Sequence, residues 1–346
     1  MSSHNRRAFL AGAAALTGAA TVAPSGLAFG RAYAKPAAKP TTLSGFVDVH
    51  HHLFPPAMVT ALKSRLPEFS LPGVQRSIVE LNAGGTDTAV ISFPNSDIVS
   101  FEPPRLANLV RSSNLFATGL AHQYPGRYGL FASLPMPHIE ASLKELEHAF
   151  EQLHAAGILL ISNYNNKWLG DAQFAPVLEE LNRRKALVFV HPNAADCCRG
   201  LIPGLSDSVI EYETDTARTI ASLLFSGAAE RYRDIRFIFS HAGGTLPALI
   251  ERFTSATRVS PEVAGNVPQG VMTYLKSFYY DTAQAVAPTA LGALLNFIPP
   301  QQVLFGTDFP YRGTQEQATA LQAIGLKPPA LKGILSGNAR RLLGAQ

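Results

Sequence analysis

The chain is poor in the residues that staple a fold: among 346 residues there are two cysteines, Cys197 and Cys198, and they are neighbours. A disulfide between adjacent residues needs a strained geometry, so no disulfide framework is expected. Zinc–thiolate centres usually recruit two separated pairs, which argues against that type of site too. Charge is also scarce, at 16% of residues. The formal charge of +4 comes largely from the first 34 residues, which hold Arg6, Arg7 and Arg31 and no acid, leaving 26 basic against 25 acidic side chains in the remainder. A body so close to neutral offers no basic footprint for nucleic acid and no Lys/Arg run for a membrane surface. Long apolar runs are missing as well. The stretch from Ala8 to about Val22 is short and diluted by Gly, Ala and Thr, too weak for a stable anchor.

What is present begins with an address. Arg6-Arg7 precede that uncharged stretch, and Ala32-Tyr33-Ala34 offers a small-x-small cleavage site, so residues 1–34 read as a twin-arginine signal peptide and 35–44 as a disordered lead-in. Export in the folded state to the periplasm or beyond is the expectation. Residues 45–346, in a chain that is 47% hydrophobic, suit one large domain. Short β-branched or aromatic runs alternate there with segments of helical periodicity. The strands are expected at Phe46–His50, Thr88–Ser92, Tyr128–Ser133, Ile158–Ile161, Ala186–Val190, Ile235–Ser240, Phe278–Tyr280 and Gln302–Phe305. Helices are expected at Ile139–Ala155, Phe174–Arg184, Asp215–Gly227 and Ala287–Phe297. Eight βα units in about 300 residues predict an α/β fold, the (β/α)8 TIM barrel. The rival, a doubly wound open sheet, wants a glycine-rich phosphate turn after its first strand, and three histidines and two prolines stand there instead.

Polar chemistry gathers at the strand ends. Strand one runs into Asp48-Val49-His50-His51-His52, and side-chain alternation sends His50 and His52 to one side and His51 to the other. Strand five ends at His191, strand six at His241 and strand eight at Asp308. A lone histidine would more often be a packed core residue, and a lone aspartate a loop cap. Four strands delivering imidazole or carboxylate to one rim point instead to a divalent metal such as zinc or manganese. His4, His122, His138, His148 and His154 lack such placement and read as surface or packing residues.

At these residues the sequence resembles the amidohydrolase superfamily, in the branch of aminocarboxymuconate semialdehyde, γ-resorcylate and 6-methylsalicylate decarboxylases. The resemblance covers about residues 45–343 and rests on Val47–Pro56, Ser162-Asn163-Tyr164, Val188–Pro192, Ser240–Gly244, Tyr279–Ala283 and Leu304–Pro310. It implies His50, His52, His191 and Asp308 as metal ligands and His241, with Asp308, as the acid/base residues beside the metal. Two-metal relatives carry a carboxylated lysine or bridging acid at strand four. Here that strand reads Gly157–Asn163 with nothing to bridge, so one ion is expected. The implied reaction is non-oxidative decarboxylation of a salicylate-like or related unsaturated carboxylic acid. The same parts would serve hydrolysis of a lactone, ester or amide, or a barrel that binds metal without turnover. Phe54, Phe93, Asn95, Tyr164, Trp168 and Phe309 stand near strand ends where they could line an aromatic slot. Arg252 occupies the position from which such decarboxylases reach into a partner subunit, so a homodimer is expected. Asp281 is expected to hold the surroundings of His241, and Arg218 to sit on the helix before strand six.

Overall fold

The computed structural model describes residues 45–62, 72–94 and 98–344; the expected signal peptide and lead-in, and Asn95, lie outside them. Eight parallel strands form one sheet in sequence order: β1 Phe46–His52, β2 Thr86–Ser92, β3 Tyr128–Ser133, β4 Gly157–Ile161, β5 Leu187–His191, β6 Arg236–Phe239, β7 Tyr279–Asp281 and β8 Val303–Leu304. The sheet curls until its ends meet. Val49 N–H donates to the Phe305 carbonyl at 3.0 Å, Asp308 N–H to His50 at 2.8 Å and His52 N–H to Phe309 at 2.8 Å. The expected barrel is therefore the observed one, with strand ends displaced by at most two residues.

Alternation along the strands sorts the core into two layers. Val47, Val90, Phe131, Leu159, Leu187, Phe189, Ile238 and Leu304 fill the inside of the barrel. Their neighbours in the chain, such as Ile158, Leu160, Val188, Val190, Phe237 and Phe239, pack outward against the helices. Each fully buried Phe or Leu contributes about 1.5–3 kcal/mol. The apolar runs Gly157–Ile161, Leu187–Val190 and Phe237–Phe239 of strands four to six are what a sheet covered on both faces requires.

Three expected helices have different limits. Ile139–Glu151 stops four residues before Ala155, because His154 turns left-handed (φ 50°) and Ala155 N–H bonds back to Ala149 at 2.9 Å. The helix expected from Asp215 begins at Glu211 and ends at Phe225, with Glu211 and Glu213 in its positive first turn. The helix expected over Ala287–Phe297 is present as one continuous run, a π-helical turn at Pro288–Gly292 passing directly into an α-helical turn at Ala293–Leu295. The helix at Ala175–Arg183 stands as expected within a residue. No helix among the described residues is long and apolar enough to cross a membrane.

Candidate metal centre

The centre starts from a defect in β1. Between Asp48 and His51 the pairing with β2 advances three residues against two, a bulge that switches which side of the strand faces inward. Val47 and Val49 therefore belong to the barrel interior, and His50 and His52 still reach the centre. Asp48 stabilises the bulge: its carboxylate accepts from His50 N–H (3.0 Å), Thr307 N–H (3.1 Å) and Thr307 Oγ1 (2.6 Å). It thereby ties β1 to the segment after β8. His51 turns away, bonded to Asp48 and Ser77 and stacked on Phe309 at 4.5 Å. It supports the rim rather than joining the centre.

One ligating atom each from His50, His52, His191 and Asp308 lies within 4.8 Å of the others, and all four residues are buried. The proton positions follow from their partners. His52 Nδ1 is 3.1 Å from the Ser92 carbonyl, His191 Nδ1 2.9 Å from the Pro192 carbonyl and His50 Nδ1 2.8 Å from the Asp281 carboxylate. Each acceptor fixes a proton on Nδ1 and leaves a lone pair on Nε2. The Nε2 atoms of His50 and His52 are 3.1 Å apart, a separation that two lone pairs accept only with a proton or a metal cation shared between them. Asp308 Oδ1 sits 3.2 and 3.0 Å from them, buried and without a hydrogen bond, while Gln284 donates to its Oδ2. An orphaned carboxylate oxygen facing imidazole lone pairs is a donor set for a divalent metal. A His/Asp metal site is present.

The charges confirm how tightly these groups depend on one another. Burial pushes His52 below the usual imidazole value; it pushes His191 well below, assisted by the neighbouring His52 and His50. Burial opposes the cation of His50 as well, yet the Asp281 and Asp308 carboxylates outweigh it and raise it to about 9. His241 is raised well above normal, Glu213 and Asp308 overcoming its burial. Asp308, despite burial, is held well below the usual carboxylate range by His50 and His241. Protons and metal thus compete for the same atoms.

His241 stands beside the four ligands, its Nε2 3.5 Å from Asp308 Oδ2 and its Nδ1 2.9 Å from Glu213 Oε1. Its backbone N–H donates to Asp281 at 2.9 Å, so Asp281 steadies both His50 and the loop carrying His241. His241, Ala242, Gln284 and Asp308 all have positive φ, half of the non-glycine residues that do among those described. Strain of this kind persists where surrounding contacts enforce it, commonly at functional sites. Gly244 permits the close packing: a Cβ there would lie 2.1 Å from the Glu213 carbonyl oxygen. Glu213 is not among the expected residues because its helix starts four residues earlier than expected, at Glu211. Gln284, which carries no motif signal, is not among them either.

Above the ligands opens a cavity of about 1110 Å³, lined by His52, His191, His241, Asp308 and Glu213 and walled by Phe54, Tyr212 and Tyr311 among others. The expected lining residues divide. Phe54 lines the cavity. Phe93 and Phe309 are core residues, and Tyr164 is buried with its hydroxyl accepting from Ile161 N–H at 3.0 Å. Trp168 donates through Nε1 to Asp215 at 2.7 Å. None of these last four lines the cavity, because each is committed to packing or to a structural bond. Arg252 is exposed on the helix Leu246–Val259 and also lies off the cavity wall. Cys197 and Cys198 sit in the loop after β5, outside the ligand cluster, with Arg218 3.9 Å from the Cys198 sulfur.

A family model described as an amidohydrolase matches residues 47–345. The chain belongs to that amidohydrolase family. Decarboxylase yanB of Aspergillus niger is 37% identical over 287 residues, covering 77% of each chain. The 6-methylsalicylic acid decarboxylase acuB of Aspergillus aculeatus is 33% identical over 310 residues, 83% of this amidohydrolase and 93% of its relative. Among solved structures, a dihydroxybenzoic acid decarboxylase from Polaromonas sp. with bound manganese and the inhibitor 2-nitroresorcinol superimposes with a TM-score of 0.76 at 19% identity. The match covers 87% of this chain and 97% of that one.

Proposed function

We propose that this amidohydrolase is a metal-dependent, non-oxidative decarboxylase of a salicylate-like aromatic acid. One observation carries the reading: three imidazole lone pairs and an orphaned carboxylate oxygen converge at the foot of a cavity that also presents His241. It does so in a chain about one-third identical to named decarboxylases. His50, His52, His191 and Asp308 would hold the ion. A bound divalent cation supplies Lewis acidity that positions and polarises carboxylate and phenolic oxygens. The ion is zinc or manganese: the donors are nitrogen and oxygen without thiolate, and a structural neighbour holds manganese.

The residues divide the remaining work. His241 and Asp308, 3.5 Å apart, form the proton store at the cavity floor. A proton held on His241, which is raised well above its ordinary value, and relayed through Asp308 to the ring carbon bearing the carboxylate places positive charge on the ring. The carbon–carbon bond then breaks, its electron pair returns to the ring, and carbon dioxide leaves. Glu213 holds His241 ready to return the proton to Asp308. Incubating the metal-loaded protein with 6-methylsalicylate and 2,6-dihydroxybenzoate should release carbon dioxide in step with phenol. No release from either acid, with one equivalent of metal retained, would falsify the reading; two equivalents per chain would refute the single-ion site.

Two parts of the proposal rest on sequence alone. Arg6-Arg7 and the following apolar stretch support export by the twin-arginine route, which fractionation of the native host checks. Arg252 supports a homodimer, which light scattering on the purified protein checks.

A further inference from the structure

The cavity is larger and less charged than the proposed reaction requires. Pockets for drug-sized ligands run to ~300–1,000 Å³; at about 1110 Å³ this one would leave most of its volume empty around a single ring. No lysine or arginine lines it among the described residues, and its carboxylates are Asp308 and Glu213. The ion and the histidines at the floor can therefore neutralise one substrate carboxylate. A second would meet Glu213 and find no cation, at the cost of burying an unpaired charge.

Away from the ligands the wall is part aliphatic, with the hydroxyls of Ser206, Ser208, Thr214, Thr245 and Thr289 beside it. Pro247, Ala248, Ala285 and Ala290 lead to Val209 and Ile210, which line the cavity and are still 57% and 44% exposed, so they form part of its mouth. Leu201, Ile202 and Leu205 of the same loop are exposed as well. Apolar side chains gathered at a cavity mouth mark a surface that gains from being covered.

We propose that the substrate is a monocarboxylate whose ring carries an extended, uncharged aliphatic substituent, received by Val209 and Ile210. This deepens the decarboxylase reading and rests on it for the acid end alone. The test is a series of 6-alkylsalicylates from methyl to heptyl, with 4-hydroxyisophthalate as the dicarboxylate. Binding to the manganese-loaded protein is measured by calorimetry and carbon dioxide release separately. Affinity should rise about twofold to fourfold per methylene, the gain expected from half to full burial, and kcat/KM should rise with it. The dicarboxylate should bind at least roughly tenfold more weakly than 6-methylsalicylate. In a Val209→Ser, Ile210→Ser double variant the dependence on length should flatten. Affinity that is flat or falls with length, or a preference for the dicarboxylate, overturns the inference even if carbon dioxide is released. Affinity that climbs with length without carbon dioxide from any member upholds the aliphatic site and overturns the decarboxylase reading instead.

Discussion

Asp308 and Asp215 are both buried carboxylates at the rim of one barrel, and they are treated in opposite ways. Asp215 is saturated with donors. Ser162 donates to it, Asn163 Nδ2 does so at 2.6 Å and Trp168 Nε1 at 2.7 Å, with Arg218 3.6 Å away. Asp308 keeps Oδ1 without a hydrogen bond while three histidines crowd its carboxylate. A buried carboxylate with both oxygens bonded to donors fixes structure. A carboxylate oxygen without a hydrogen bond, on backbone held at φ 63°, is a donor suited to a cation. Burial and charge alone do not separate the two aspartates; the completeness of their hydrogen bonding does.

The largest effect that would break this comparison belongs to Asp308. Asp308→Asn keeps the size of the side chain but removes the negative charge that would balance the metal and the carboxylate that would relay the proton. Turnover should fall by roughly 10³-fold or more, within or beyond the ~10²–10⁴ range for lost acid–base groups, and bound metal should drop below one equivalent. Circular dichroism should remain that of the folded protein. Full metal occupancy with activity within tenfold of the parent would show that Oδ1 is not a ligand.

Asp215 should give the reverse pattern. Asp215→Ala removes the charged acceptor shared by Ser162, Asn163 and Trp168, leaving the first two only the Asn193 carbonyl, and hydrogen bonds to a charged group are worth about 1.5–3 kcal/mol each in net terms. Losses within a network are not additive, so about 3–4 kcal/mol of stability should disappear in urea unfolding. Metal content should stay at one equivalent. Loss of the ion without loss of stability would mean that the helix Glu211–Phe225 serves the centre through Glu213 more than it serves the fold.

The barrel and the donor set were legible because each leaves a periodic or positional mark. Apolar strands recur at intervals, and His50, His52, His191, His241 and Asp308 all follow such runs. Helix limits were less legible, since a left-handed residue such as His154 or an acidic first turn such as Glu211–Glu213 overrides periodicity locally. The supporting residues were hardest. Gln284 and Glu213 reach the centre through loops and a helix start, where no spacing rule connects them to the strands. Aromatic residues misled for a related reason: a large ring near a strand end serves packing as readily as it serves a ligand, and Tyr164 and Trp168 serve packing.

Trp168 offers the smallest and most discriminating test of that last point. It pairs with Asn163 across a two-strand ribbon whose turn, Asn165-Asn166, has positive φ at both residues, the twist that a tight hairpin prefers. The ribbon aims Trp168 Nε1 and Asn163 Nδ2 at the same carboxylate. Trp168→Phe removes one donor and retains most of the ring, so stability should fall by about 1.5 kcal/mol, the lower end for a bond to a charged acceptor. KM and kcat should change by less than about twofold, because the ring lies off the cavity wall. A substrate-line residue would behave otherwise: KM would rise severalfold while the unfolding midpoint stayed in place. That outcome would return Trp168 to the binding site and leave Asp215 with a partner it does not need.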